Sequence, residues 1–178
     1  MTTTTTTKMS EDLNVDELLS LGDSYYVDEQ YDESLTAYTG AWTLLQEASP
    51  STSSSSSTTT SVSIRVLSHR SACLFKLDRY QESYDDALGA IQYLKDRPTS
   101  LRQGESELLH RRAGLAAMSL NNKYDQAKLY FEKALELATL NKNNNKSSYK
   151  SWIDECNKHL VKNSNNSSSS VTTTTTTT

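Results

Sequence analysis

The residues of this chain that most invite metal, nucleophilic or acid–base chemistry are few: three histidines, two cysteines and one Asp-Asp pair. His69, His110 and His159 stand singly along the sequence, which favours structural roles over a metal site. Cys73 and Cys156 fall inside predicted helices and share no CxxC spacing, so they read as small packed hydrophobes rather than as disulfide, metal or nucleophilic groups. Asp85-Asp86 lies on a predicted outer helix and reads as a solvated face, not as a proton-transfer pair. The sequence contains no phosphate-binding glycine loop, no G-x-S-x-G elbow and no H-E-x-x-H pair. An enzyme has no residues to stand on here, and no cofactor or metal is implied.

The elements that carry these residues are helical. The chain has 178 residues and a formal charge of −4, room for one domain of ordinary size. Residues 1–10, the insertion 49–62 and the tail 163–178 are dominated by Ser, Thr and Asn. With so few apolar groups these tracts are expected to be disordered. Phosphate or sugar on them would add charge beside the fold; homopolymer slippage in coding DNA explains them more simply. The foldable part is 11–162. No apolar run reaches the roughly 18 residues of a membrane span, and no secretory signal follows Met1. With only two cysteines, these features lead us to expect a soluble protein of the reduced cytoplasm or nucleus, so the sequon at Asn145-Lys146-Ser147 reads as chance.

Charge is uneven. Residues 1–48 carry one Lys against ten acids, residues 49–140 twelve basic against ten acidic groups, and residues 141–178 five Lys against two acids. No concentrated basic face of the kind that binds nucleic acid emerges.

Apolar residues recur three and four apart between the tracts, predicting helices over 12–27, 31–48, 63–77, 81–95, 102–120, 124–141 and 148–162. The first six form pairs on one template. From Leu18 it runs through Gly22, Tyr25, Tyr31, Ser34, Tyr38 and Ala41; from Leu67 through Ser71, Leu74, Tyr80, Ser83, Ala87 and Ala90. From His110 it runs through Gly114 and Ala117, then, after one inserted residue, Tyr124, Ala127, Phe131 and Ala134. Small residues at Gly22, Ser71 and Gly114 let the first helix of a pair approach the second. Tyr31, Tyr80 and Tyr124 open each second helix, and Ala41, Ala90 and Ala134 mark where the next pair docks.

This template resembles the tetratricopeptide repeat, whose period is roughly 34 residues. Tyr31, Tyr80 and Tyr124 are spaced more widely, with the excess lying between pairs, where a solenoid tolerates insertions. The resemblance implies an all-α tetratricopeptide-repeat superhelix of three helix pairs (about 15–48, 64–97 and 107–141) plus a C-terminal capping helix over 148–162. Within it, His69 to Leu77 is similar to the second-repeat opening of co-chaperone members. Tyr149-Lys150-Ser151-Trp152-Ile153-Asp154-Glu155-Cys156 is similar to the capping helix of the SGT-one co-chaperones. That resemblance implies a non-catalytic adaptor whose partners would be a Skp-type ubiquitin-ligase component, the ninety-kilodalton heat-shock chaperone complex, or peptide segments of such proteins. The β-sandwich and client-binding tail that such members carry after their repeats have no counterpart between Asn163 and Thr178, so only the docking role of the repeats is implied. Two alternatives stand beside it: a co-chaperone that grips heat-shock protein tails, and a self-association module that forms a homodimer.

By register, a partner-binding groove would be lined by Asp16, Leu19, Asp23 and Tyr26 from the first pair, and by Arg65, His69, Phe75 and Lys76 from the second. The third pair would add Leu108, Arg111, Arg112, Leu115 and Met118. The two-carboxylate clamp of the tail-binding class needs cations and amides where this chain has Leu19, Asp23, His69, Leu108 and Arg112. Only Arg112 fits, and Asp23 is expected to repel an acidic ligand. The groove is expected to be acidic at Asp16 and Asp23 and basic at Arg65, Lys76, Arg111 and Arg112; the competing reading makes these charges merely solvated helix faces.

Overall fold

Asn14 starts the fold. Its side chain accepts hydrogen bonds from the N–H groups of Asp16 and Glu17, both at 3.0 Å, and the Glu17 carboxylate accepts the Asn14 N–H at 2.9 Å. This reciprocal capping box places α1 at Val15–Val27, three residues later than periodicity alone suggests. The computed structural model describes residues 13–48, 57–95 and 103–168. The expected disorder of 1–10, 49–56 and 169–178 lies outside the described residues, as do residues 96–102.

Six further helices follow: α2 (Tyr31–Glu47), α3 (Ser57–Lys76), α4 (Tyr80–Lys95), α5 (Gln103–Ser119), α6 (Tyr124–Leu140) and α7 (Lys146–Ser168). Among the described residues there is no strand. Two boundaries depart from expectation. Helix α3 begins inside the Ser/Thr tract, because Thr60 continues the buried stripe of Ile64, Leu67, Ser71 and Leu74 one turn upstream and is only 8% exposed. Helix α7 runs on through Asn163 to Ser168, since a packed helix propagates cheaply, adding one backbone bond per residue fixed.

The turns within pairs are made without glycine. Glu29 sits at φ 59° and the next N–H, that of Gln30, reaches the Tyr25 carbonyl at 2.9 Å. Asp78 at φ 58° repeats this, with the Arg79 N–H on the Leu74 carbonyl at 2.9 Å, and Lys142 at φ 54° repeats it again before α7. These six-to-one bonds close a helix C-terminus through one left-handed residue. The one-residue insertion of the third pair changes the turn: Asn121 takes φ 57°, and the Asn122 N–H turns to the Leu120 carbonyl at 2.7 Å.

Each helix packs on the next in chain order, and α3 also reaches α5. The small positions work as the spacing implied. A Cβ on Gly22 would stand 2.5 Å from Tyr38 Cε1, and one on Gly114 would stand 2.6 Å from Phe131 Cε1. In the middle pair the template position that holds the ring elsewhere is Ala87. There α3 and α4 cross on reciprocal serine bonds: Ser71 Oγ donates to the Ser83 carbonyl and Ser83 Oγ to the Ser71 carbonyl, both at 2.8 Å. Ala41, Ala90 and Ala134 are completely buried.

The fold is thus an all-α tetratricopeptide-type superhelix of three pairs with α7 as its end cap. Tyr149 and Cys156 of α7 are buried, and the Trp152 ring lies 5.0 Å from that of Phe131. Two acidic side chains are buried, and the first of them, Asp86, was expected on a solvated face. Asp86 is only 7% exposed and accepts both Arg70 Nε (2.6 Å) and Nη2 (2.7 Å), while its neighbour Asp85 is exposed. Glu107, only 3% exposed, is held by α7 and the turn before it.

Candidate functional site

The first helices of the pairs, α1, α3 and α5, form the inner face of the superhelix, and two adjoining depressions open on it. One, of about 240 Å³, is lined by Asp23, Tyr26 and Val27 of α1, Tyr38 of α2, His69 and Ala72 of α3, and Arg112 of α5. The other, of about 300 Å³, takes Tyr26, Ala72 and Arg112 as its share of the same wall. It adds Phe75, Lys76, Ser83, Arg111, Leu115 and Trp152.

The first depression is a closed polar network. Asp23 Oδ1 accepts the Tyr38 hydroxyl at 2.6 Å and contacts His69 Nδ1 at 2.7 Å, while Oδ2 accepts Arg65 Nη2 at 3.3 Å. Burial works against the Asp23 charge, but the Tyr38 bond and the His69 and Arg65 contacts outweigh it and hold the carboxyl below its usual value. Burial likewise pushes His69 below an ordinary imidazole, against the pull of Asp23. Asp23 is therefore not the unpaired like charge the sequence suggested: Arg65 partners it.

Arg112 is also engaged. Its Nη1 donates to the carbonyl and hydroxyl oxygens of Ser68, a residue only 7% exposed. Burial lowers this guanidinium to about 10, so it keeps its charge at neutral pH.

Of the expected groove residues, Asp23, Tyr26, His69 and Arg112 meet in the first depression, and Tyr26, Phe75, Lys76, Arg111, Arg112 and Leu115 in the second. Leu19 does not belong there: it is wholly buried in the core of the first pair, on the side of α1 that faces its neighbours. Asp16 is exposed in the first turn of α1, where its N–H serves the cap. Arg65 reaches the first depression only through Asp23. Leu108 is partly exposed and Met118 packs on the core; neither lines a depression. The expected acidic-to-basic gradient is replaced by a neutralised pair at one end and cations at the other.

Tyr38, Val27 and Trp152 are lining residues that register did not indicate. Tyr38 is a second-helix position that reaches the inner face because Gly22 leaves room for its ring. Trp152 belongs to the cap, and its place on α7, one turn from Tyr149 and Cys156, pointed only to burial. Val27, the last residue of α1, is 80% exposed.

His110 Nδ1–H donates to the Ser106 carbonyl (2.7 Å), and His159 stacks on Tyr124 at 4.1 Å. Cys73 is fully buried, its Sγ 3.1 Å from Ser34 Oγ, and Cys156 is fully buried too. Among the described residues no group of three or more His, Cys, Asp or Glu side chains is placed to hold a metal, and no helix is long and apolar enough to cross a membrane.

No protein-family model and no curated protein matches the chain. Solved structures do. The first TPR domain of Spaghetti (RPAP3), bound to the HSP90 peptide SRMEEVD, superposes with a TM-score of 0.59 at 20% identity, over 83% of this chain and 94% of that one. The OM64 TPR domain of Arabidopsis gives 0.58 at 19% identity, over 82% of this chain and 95% of that one. The C-terminal TPR-containing domain of an FK506-binding protein from Plasmodium falciparum gives 0.63 at 16% identity, over 88% and 99%. At these identities the likeness establishes the fold, a tetratricopeptide superhelix.

Proposed function

We propose that this chain is a non-catalytic protein-interaction scaffold whose inner face takes a segment of a partner protein. We further propose that it serves as an adaptor in ubiquitin-ligase or chaperone assemblies of the cytoplasm or nucleus. The observation that carries the reading is the pair of adjoining depressions sharing Tyr26, Ala72 and Arg112. Together they make a groove with aromatic walls and a few convergent polar groups, the form in which helical surfaces hold peptide segments. The similar fold of the RPAP3 domain holding a short peptide supports this. The adaptor role rests on the similarity of the Tyr149–Cys156 segment to the SGT-one cap.

A grip on acidic heat-shock tails is less well supported. Of the five positions such a clamp uses, Leu19 is core, Asp23 is a carboxylate, His69 is held by Asp23, Leu108 is apolar, and Arg112 is bonded to Ser68.

Affinity purification of the tagged chain from its own cells tests the reading, run beside a Lys76→Glu/Arg111→Glu variant. A Skp-type ligase component or chaperone is expected to be enriched by the wild type and lost by the variant. An identical set of partners for both would remove the groove from the account. Displacement of the partner by the peptide SRMEEVD would restore the clamp.

A further inference from the structure

The second depression contains a charge that the fold leaves unanswered. Five arginines are described. Arg65 pairs with Asp23, Arg70 with Asp86, Arg79 with Glu82, and Arg112 donates to Ser68. Among the described residues no hydrogen bond or ion pair engages Arg111, though it is partly buried and lines the depression. A partly desolvated guanidinium without an acceptor is costly, and a carboxylate answers it with two parallel hydrogen bonds. Lys76 lies in the same lining, its ammonium 5.6 Å from the centre of the Tyr31 ring, a position that keeps it beside the depression.

Around these cations the walls are apolar and braced. Phe75 stands 5.3 Å from the Tyr80 ring, Tyr26 5.4 Å from Tyr31, and Trp152 5.0 Å from the wholly buried Phe131. Rigid aromatic walls beside a guanidinium are the composition of a binding hot spot.

We propose that this depression takes an internal peptide segment in which an aromatic or long aliphatic side chain is followed, within one or two residues, by an acidic one. The apolar group lies among Tyr26, Phe75, Leu115 and Trp152; the carboxylate meets Arg111 and Lys76. The proposal rests on the groove reading above and names its ligand chemistry. An internal segment fits better than a chain terminus. A terminus brings its own carboxylate besides the side chain's, and the positions that would receive a second one are Leu19 in the core and Arg112 already bonded to Ser68.

The test is selection of short peptides from a random displayed library on the intact chain. Enriched sequences are then synthesised with free and with amidated C-termini and measured by fluorescence anisotropy. The expected result is an apolar–acidic motif that binds equally well in both forms. Arg111→Glu should weaken it about tenfold or more, Trp152→Phe less, and Lys133→Glu, on α6, not at all. Circular dichroism of Arg111→Glu confirms that the loss is not unfolding. Groove-dependent peptides that are basic, or that need a free C-terminus, overturn this proposal and leave the groove reading intact. No enriched peptide, or enriched peptides indifferent to Arg111 and Trp152, overturns both.

Discussion

The Glu107 carboxylate of α5 accepts the Tyr149 hydroxyl of α7 at 2.8 Å, with both residues almost excluded from solvent at 3% and 1% exposure. Asn143 Nδ2 donates to both oxygens of the same carboxylate at 3.0 and 3.2 Å. The cap is thus fastened by a buried acid as well as by its apolar face, and the same helix carries Trp152 into the groove.

Burial raises the Glu107 carboxyl, but the Tyr149, Asn143 and Asn145 donors outweigh it and hold it below the usual range. A pKa depressed in the folded state gives stability that is present above the unfolded value of about 4.3 and lost as pH falls through the lower folded value. Tyr149→Phe should therefore lower the urea-unfolding free energy at pH 7 by about 1–3 kcal/mol. It should also shrink the stability that the wild type loses on acidification below about pH 5. Parallel acid profiles for the two proteins would rule out this role for Glu107.

Gly22→Ala should destabilise by about 1–3 kcal/mol, because the new Cβ meets the Tyr38 ring at 2.5 Å and that ring is 1% exposed. Gly104 has nothing within 4 Å of the equivalent position. Gly104→Ala, in the first turn of α5, should stabilise by about 0.5 kcal/mol through helix propensity. Thermal melts of the two variants decide it: shifts of the same sign would contradict the packing described.

Asp86→Ala strands Arg70 without its bidentate partner at a site where Arg70 is 20% exposed. Leaving one member of a buried pair uncompensated costs about 3–5 kcal/mol. The double variant Arg70→Met/Asp86→Ala should recover much of that loss in chemical denaturation. If it is as unstable as the single variant, the pair is not the source.

His69 should titrate below the usual imidazole value near 6.5, since burial lowers it and Asp23 only partly restores it. A histidine depressed in the folded state contributes stability that is present above the unfolded pKa and lost as pH falls below it. Asp23→Asn removes the raising partner, so nuclear magnetic resonance titration of the ring should find an even lower midpoint in the variant. An upward shift would mean that Asp23 does not face the imidazole.

Helix number, pairing and the steric template were all legible in the sequence. They depend on local periodicity and on side-chain size, and the Gly22, Ser71 and Gly114 positions announce a close approach whatever they approach. The capping box of Asn14 and Glu17 was equally available, and it corrects the start of α1. Which face of a first helix is core and which is groove was not available. Leu19 and Asp23 share one stripe of α1, four residues apart, yet one is sealed and the other opens to the inner face, because the crossing of α2 and α3 decides where the stripe ends. Asp86 looked solvated until Arg70, sixteen residues earlier, was brought against it. Trp152 looked like a cover for the stack until the superhelix carried the cap round to Arg111. Burial, charge pairing and the groove itself are relations between helices distant in the chain. A single-sequence pattern holds the period of each helix but not the angle between them.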